Sequence, residues 1–282
     1  MIQQSFKNDQ ATLFLVATPI GNLNEMTPRA VEILKTVDLI AAEDTRNSAF
    51  LLKHFDIKTP MIAYHDFNED TASIDIVKHL EAGKNIALIS DAGYPLISDP
   101  GHTVSHEVIK AGYNVVPISG SSAFLAALVA SGLIVHPFAF LGFLEAKEQG
   151  IINQLNEVKD LKMTLVYYLS VHKVEKTLKI MYDVLGDRQV CLAREITKKH
   201  EEFIRGPLLD VMNSIDVQKG EYVIVIEKSE DETTSQDDLL AKIDSLIEDG
   251  MKPSKAISHT AKESKVSKNE LYNAYHQKKE KE

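Results

Sequence analysis

Short apolar runs recur along the first part of the chain: LFLVA at 13 to 17, LIAA at 39 to 42, MIAY at 61 to 64, IALIS at 86 to 90 and VVPI at 115 to 118. Each is short and rich in Leu, Ile and Val, and each is followed by a stretch with helical spacing. That alternation predicts strands and helices in turn, an α/β fold. The first helix has Thr27 as its N-cap and Pro28 at its first position, with Ala30, Val31, Leu34 and Val37 on one face. After the small-residue stretch SGSSAFLAALVASG a second series begins: AFLGF at 139 to 143, TLVYYL at 164 to 169, VCLAR at 190 to 194 and YVIVIE at 222 to 227. The pattern therefore divides into an α/β lobe over 1–118 and another over 119–228. The polar, acidic segment 229–238 reads as a linker. Beyond it, 239–282 forms a helical appendage: Leu239, Leu240, Ile243, Leu246 and Ile247 share one face, and Ser267 and Glu270 have capping-box spacing ahead of Leu271, Tyr272 and Tyr275.

A length of 282 residues suits two lobes, and 44% hydrophobic with 26% charged residues is the balance of a globular protein that buries real cores. No apolar run approaches the roughly 18 residues that span a bilayer, and the N-terminus lacks a basic segment followed by an apolar one. The expectation is a cytoplasmic protein with no membrane partner. The single cysteine, Cys191, stands in the apolar run VCLA and reads as a small core residue, so neither a disulfide nor a thiolate metal site is expected. The net charge of −10 argues against a broad basic surface for nucleic acid. The charge is uneven, however, because residues 251–282 carry eight lysines against four glutamates. Any RNA contact must be local.

Open α/β sheets bind ligands at the carboxyl ends of their strands, and four loops stand there. VATPIGNL (16 to 23) has Pro19 to stiffen the turn and Gly21 and Asn22 to bend it. Taken alone it reads first as a plain strand-to-helix turn, and it carries no GxGxxG fingerprint. SDAGYPLISDPG (90 to 101) is a long irregular loop in which Asp91, Ala92 and Gly93 can bring backbone close to a flat ligand. PISGSSAF (117 to 124) opens a helix whose amides can take a carboxylate or a polar group, unless Ser122 is an ordinary N-cap. LIAAEDTR (39 to 46) ends on Glu43, Asp44 and Arg46, a solvated loop or a site that orients a hydroxyl and grips phosphate. No HExxH or cysteine and histidine cluster points to a metal, and neither GxSxG nor Walker A is present.

Taken in order, VATPIGNL, LIAAEDTR, ALISDAGYPLISDPG, the GSSA turn, FLGFL and VCLAREITKKHEEFIRG resemble the tetrapyrrole methylase superfamily, and within it the branch that methylates small-subunit ribosomal RNA. The resemblance runs over nearly the whole chain. It implies two α/β lobes with S-adenosyl-L-methionine in the cleft between them, no metal, and 2'-O-methylation of a cytidine ribose in the decoding region of 16S ribosomal RNA. It also implies a homodimer acting on the assembled small ribosomal subunit. Carried over, Pro19, Asp91, Ala92, Gly93, Ser122 and Ala123 line the cofactor, with Leu169 and Ile196 added by a looser match. The chain departs from that branch in three places. Ser119 and Ser121 stand where it has prolines, Tyr167 to Lys173 lacks its glutamate and proline, and GFLEAKE retains Lys147 as its base.

Methyl transfer to a ribose hydroxyl needs alignment and help in removing a proton from a weak acid. Asp44 is the first candidate for that task and Glu43 the second, with Arg46 and Lys147 holding phosphates. Two alternatives remain at this stage. One is a methylase acting on a tetrapyrrole precursor, against which stand the ATPIGN turn and the appendage. The other is a ligand-sensing helix-turn-helix DNA-binding regulator, against which stands the modest charge of the tail.

Overall fold

A computed structural model describes residues 3–5, 7–8, 10–65, 69–98, 102–215, 219–229, 236–264 and 266–279. The last three residues of the loop at 90 to 101 and most of the linker lie outside the described residues.

The first series of apolar runs forms β1 (Thr12–Val16), β2 (Leu39–Ala42), β3 (Met61–Ala63), β4 (Ile86–Ile89) and β5 (Asn114–Ile118). They make one parallel sheet in the order β3-β2-β4-β1-β5. Both faces of it are covered. Phe14, Val16, Ile40, Ala42, Ala87, Ile89, Val116 and Ile118 point into one core, with Ala30 and Leu34 of α1 (Pro28–Thr36) and Leu52 of α2 (Thr45–His54). Leu13, Ala41, Ile86 and Leu88 point into the other, with Ile76 and Leu80 of α3 (Glu69–Glu81) and Val104 and Val108 of α4 (His102–Lys110). Strand residues alternate between the two cores, so nearly every position is buried and the runs are almost unbroken. The Thr27 side chain accepts from the Ala30 amide at 3.2 Å, which caps α1 ahead of Pro28.

The second series forms β6 (Phe138–Phe143), β7 (Thr164–Leu169), β8 (Gln189–Arg194) and β10 (Tyr222–Ile226), joined by β9 (Glu202–Pro207). Their order is β6-β7-β10-β8-β9, and only the β6–β7 pair is parallel. One face packs on α6 (Glu148–Val158), α7 (Val174–Leu185) and α8 (Leu208–Ser214). The other packs on Ala127 and Leu128 of α5 (Ala123–Ala130), and Ile20 from the turn after β1 joins the same core. Cys191 lies wholly buried there, and burial pushes its thiol pKa up. Both sheets belong to one compact unit ending at Ser229.

The second unit, residues 230–282, contains α9 (Gln236–Glu248), α10 (Pro253–Glu263) and α11 (Lys268–Lys279). Leu239, Leu240, Ile243, Ala256, Ile257, Leu271 and Tyr275 make its own core. Ion pairs Lys242–Glu263 at 3.0 Å and Lys278–Asp244 at 2.8 Å tie its helices together. Among the described residues, no helix is long and apolar enough to cross a membrane.

Candidate active site

The carboxyl ends of the parallel strands all face one way, and the four loops picked out in the sequence are laced together there. The amides of Thr18 and Gly93 donate to each other's carbonyls at 2.8 and 3.1 Å, and the Thr18 hydroxyl donates to the Ser90 carbonyl at 3.1 Å. Gly93 has φ +80°, a left-handed backbone that side chains disfavour. The Gly120 amide donates to the Tyr94 hydroxyl at 3.2 Å, and a Cβ on Gly120 would stand 2.7 Å from that of Ala17. This turn and the first therefore close only over a glycine. Asp91 joins the fourth loop: its amide donates to Glu43 Oε2 at 3.3 Å, and Asn47 Nδ2 donates to its carboxylate at 2.7 Å.

Asp44 is the N-cap of α2. It accepts from the Arg46 amide at 2.8 Å and from the Arg46 guanidinium through Nε at 3.1 Å and Nη2 at 2.6 Å. The guanidinium bonds and the backbone amide hold its pKa down at about 2, against the small opposing effect of burial. The Arg46 side chain remains open to solvent, and its planar fork has donors beyond those facing Asp44.

Beside these loops lies a cavity of ≈ 230 Å³ walled by both sheets. Ile20, Ala92, Gly93, Tyr94, Ile97, Ser98, Ser122 and Ala123 line it from the first series of loops, and Phe143, Tyr168, Leu169, Glu221, Tyr222 and Val223 from the second sheet. Ser122 is the N-cap of α5, yet its hydroxyl makes no capping bond. Of the positions singled out for the cofactor, Ala92, Gly93, Ser122, Ala123 and Leu169 lie on this wall. Pro19 and Asp91 stand one residue away along the chain, next to the lining residues Ile20 and Ala92. Ile196 is buried in the core that also holds Ile20. Lys147 is exposed at the N-cap of α6, outside the lining. Among the described residues, no group of three or more His, Cys, Asp or Glu side chains could hold a metal ion.

Sequence reasoning named Leu169 from the second sheet but missed Phe143, Tyr168, Glu221, Tyr222 and Val223, and a clasp that joins that sheet to the first turn. Lys198 Nζ donates to Glu195 Oε1 at 3.0 Å and to Glu221 Oε2 at 2.9 Å. Its stem lies over Gly21 so closely that a Cβ there would come within 2.5 Å of it. Burial disfavours the Lys198 ammonium, but its bonds to Glu221 and Glu195 outweigh that and raise its pKa. Burial likewise pushes Glu195 up, and the Glu221 amide together with Lys198 pulls it below its ordinary value. The only sequence signal was the i, i+3 spacing of Glu195 and Lys198 in a segment with no helical pattern.

Two sheets, one parallel and one mixed, with a cleft between their strand ends define a two-lobed α/β fold. The same fold is found in diphthine synthase (TM-score 0.62, 12% identity, 78% of this chain and 91% of that one) and in uroporphyrin-III-C-methyltransferase from Thermus thermophilus (TM-score 0.55, 14% identity, 78% and 95%). The family model for Tetrapyrrole (Corrin/Porphyrin) Methylases matches residues 12–211, and the chain belongs to that family. It is similar over nearly its whole length to Ribosomal RNA small subunit methyltransferase I of Bacillus subtilis (strain 168), with 41% identity across 97% of this chain and 98% of the relative. The protein of the same name from Synechocystis sp. (strain PCC 6803) is 43% identical across 92% and 95%.

Proposed function

We propose that this protein is an S-adenosyl-L-methionine-dependent methyltransferase of small-subunit ribosomal RNA, acting on the 2'-hydroxyl of a cytidine ribose in the 16S decoding region. The observation that carries the reading is similarity at 41% identity over 97% of the chain to a relative named for methylation of small-subunit ribosomal RNA. The cleft fits the cofactor. Ile20, Leu169 and Val223 offer apolar walls, Ala92 and Gly93 offer backbone, and the uncommitted Ser122 hydroxyl at the start of α5 offers a polar contact. Pro19 and Asp91 hold the two turns that present these groups. Ile196 belongs to the same buried core as Ile20.

The bound cofactor supplies an activated methyl group on a sulfonium leaving group. The chain's own task is to hold a ribose hydroxyl in line and deal with its proton. With its pKa held at about 2 by Arg46, Asp44 acts as an oriented hydrogen-bond acceptor for the hydroxyl, and Glu43 is the second candidate to accept its proton. Arg46 and Lys147 hold phosphates, assisted by the lysine-rich helical appendage 239–282. Exposed Leu125, Val129, Ile134, Val135 and Phe138 support a homodimer formed around α5. The assembled small subunit in the cytoplasm is the substrate.

Mapping of ribose methylation in ribosomal RNA from cells with and without this protein tests the reading. The expected result is loss of one 2'-O-methyl cytidine from the small-subunit RNA. Identical maps overturn it.

A further inference from the structure

We infer that the ring of Phe143 is the platform on which the base of the target nucleotide stacks, an inference that rests on the RNA-methylating function proposed above. The local backbone is built to put this ring in the cleft. Along β6, Phe138 pairs with Thr164 and Phe140 with Val166, but the next pairing is Phe143 with Tyr168. Three residues of β6 therefore span two of β7. In a regular strand, Phe140 and Phe143 would point to opposite faces. The extra residue, with Gly142 at φ +66°, returns Phe143 to the face that carries Phe140.

The rings on that face form a continuous series. Phe124 stacks on Phe140 at 4.3 Å, Phe140 meets Tyr168 edge-on at 5.0 Å, and Tyr168 meets Phe143 at 5.2 Å. The inner rings are half-buried, whereas Phe143 is 56% exposed although it lines the cleft. A large apolar ring held open at the end of a packed series, and aimed there by a bulge, is placed for a flat partner arriving from solvent.

Depth along the cleft separates this partner from the cofactor. Leu169 and Tyr222, which line the same cavity, are buried at 5% and 3% exposure. Phe143 stands at the outer rim with Ile97. A base lying on Phe143 must have left its own stack, so the substrate nucleotide is unpaired or flipped when methylated. Every base has a π-face, so the platform contributes affinity and position rather than base identity.

The test compares wild type, Phe143→Ala and Phe143→Trp on small ribosomal subunits purified from cells lacking the protein, with S-adenosylhomocysteine affinity measured by calorimetry. The expected result is a loss of about tenfold in kcat/KM for subunits in Phe143→Ala, near wild-type values in Phe143→Trp, and unchanged S-adenosylhomocysteine binding in both. Unchanged kinetics in Phe143→Ala overturns the inference. So does a parallel loss of S-adenosylhomocysteine binding, which would put the cofactor on the ring, or a loss that tracks dissociation of an oligomer. A wild-type protein inactive on these subunits overturns the underlying function instead.

Discussion

The two sheets build one cleft by different means. In the parallel sheet every strand ends on the same side, so its contribution is a set of loops after β1, β4 and β5, held by backbone bonds such as the Thr18–Gly93 pair, with the loop after β2 tied to them through Asp91. In the mixed sheet the register places Leu169, the last residue of β7, opposite Tyr222, the first of β10, which in turn faces Arg194 at the end of β8. The cleft therefore takes side chains from the end of one strand and the beginning of its neighbour. A parallel sheet concentrates its site at one kind of position, whereas an antiparallel pairing distributes it over two.

The sharpest way to break this comparison is at Gly93, where the first sheet is said to work through backbone. Gly93→Val forces a β-branched residue into the left-handed region beside the Thr18 bridge. We expect the Kd for S-adenosylhomocysteine to rise on the order of 100-fold with an unchanged circular dichroism spectrum. A lost folded signal would mean that the bridge holds the fold and does not merely shape the cleft.

The clasp between the sheets comes next. Lys198→Met keeps an apolar stem over Gly21 and removes both ion pairs. The half-saturating concentration of S-adenosylmethionine should rise about tenfold with little change in kcat. A fall in melting temperature with unchanged kinetics would reduce the clasp to a prop. The lowered Glu195 carboxyl stabilises the fold above the ordinary carboxylate range and loses that contribution only as pH falls through its depressed pKa. The raised Lys198 ammonium contributes below its ordinary value and loses that contribution only as pH rises through its elevated pKa. Cofactor affinity should accordingly show no break from this clasp between about pH 5 and 9.

The smallest expected effect concerns the polar loop of the first sheet. Asp44→Asn keeps a good N-cap but removes the charge facing Arg46. We expect kcat to fall about fivefold, while any acid limb of kcat/KM between about pH 5 and 8 stays in place, because a carboxyl with a pKa near 2 is already ionised there. Disappearance of that limb in the variant would make Asp44 the proton acceptor after all.

The same contrast governs what the sequence disclosed. The strand runs at 39 to 42 and 164 to 169 match β2 and β7 residue for residue, because continuous burial leaves continuous apolar letters. The edge strand β9, EFIRGP, did not register as a strand: it is only half-buried and ends on Gly206 and Pro207. In the cleft, Ala92, Gly93 and Ser122 were legible because strand-end loops have a position rule and a glycine and serine chemistry of their own, whereas Ala123 and Leu169 came only from the family resemblance. Phe143, Glu221 and Tyr222 were not legible, since their place depends on a bulge and on antiparallel register, and both are set by pairing across the sheet. The glycine inside the run FLGF was the one local hint of that bulge.

The placement of β6 at the edge of its sheet has a consequence for divergence. An edge strand is paired on one side only, so its length, bulge and aim can be revised without unpairing a neighbour, whereas β10 is held by β7 and β8 together. The fold thus puts its most editable strand beside the outer rim of the cleft and its least editable one at the inner wall. A lineage can exchange what it recognises at the rim while the machinery within is inherited unchanged, and the edge strand is where such exchanges should be sought.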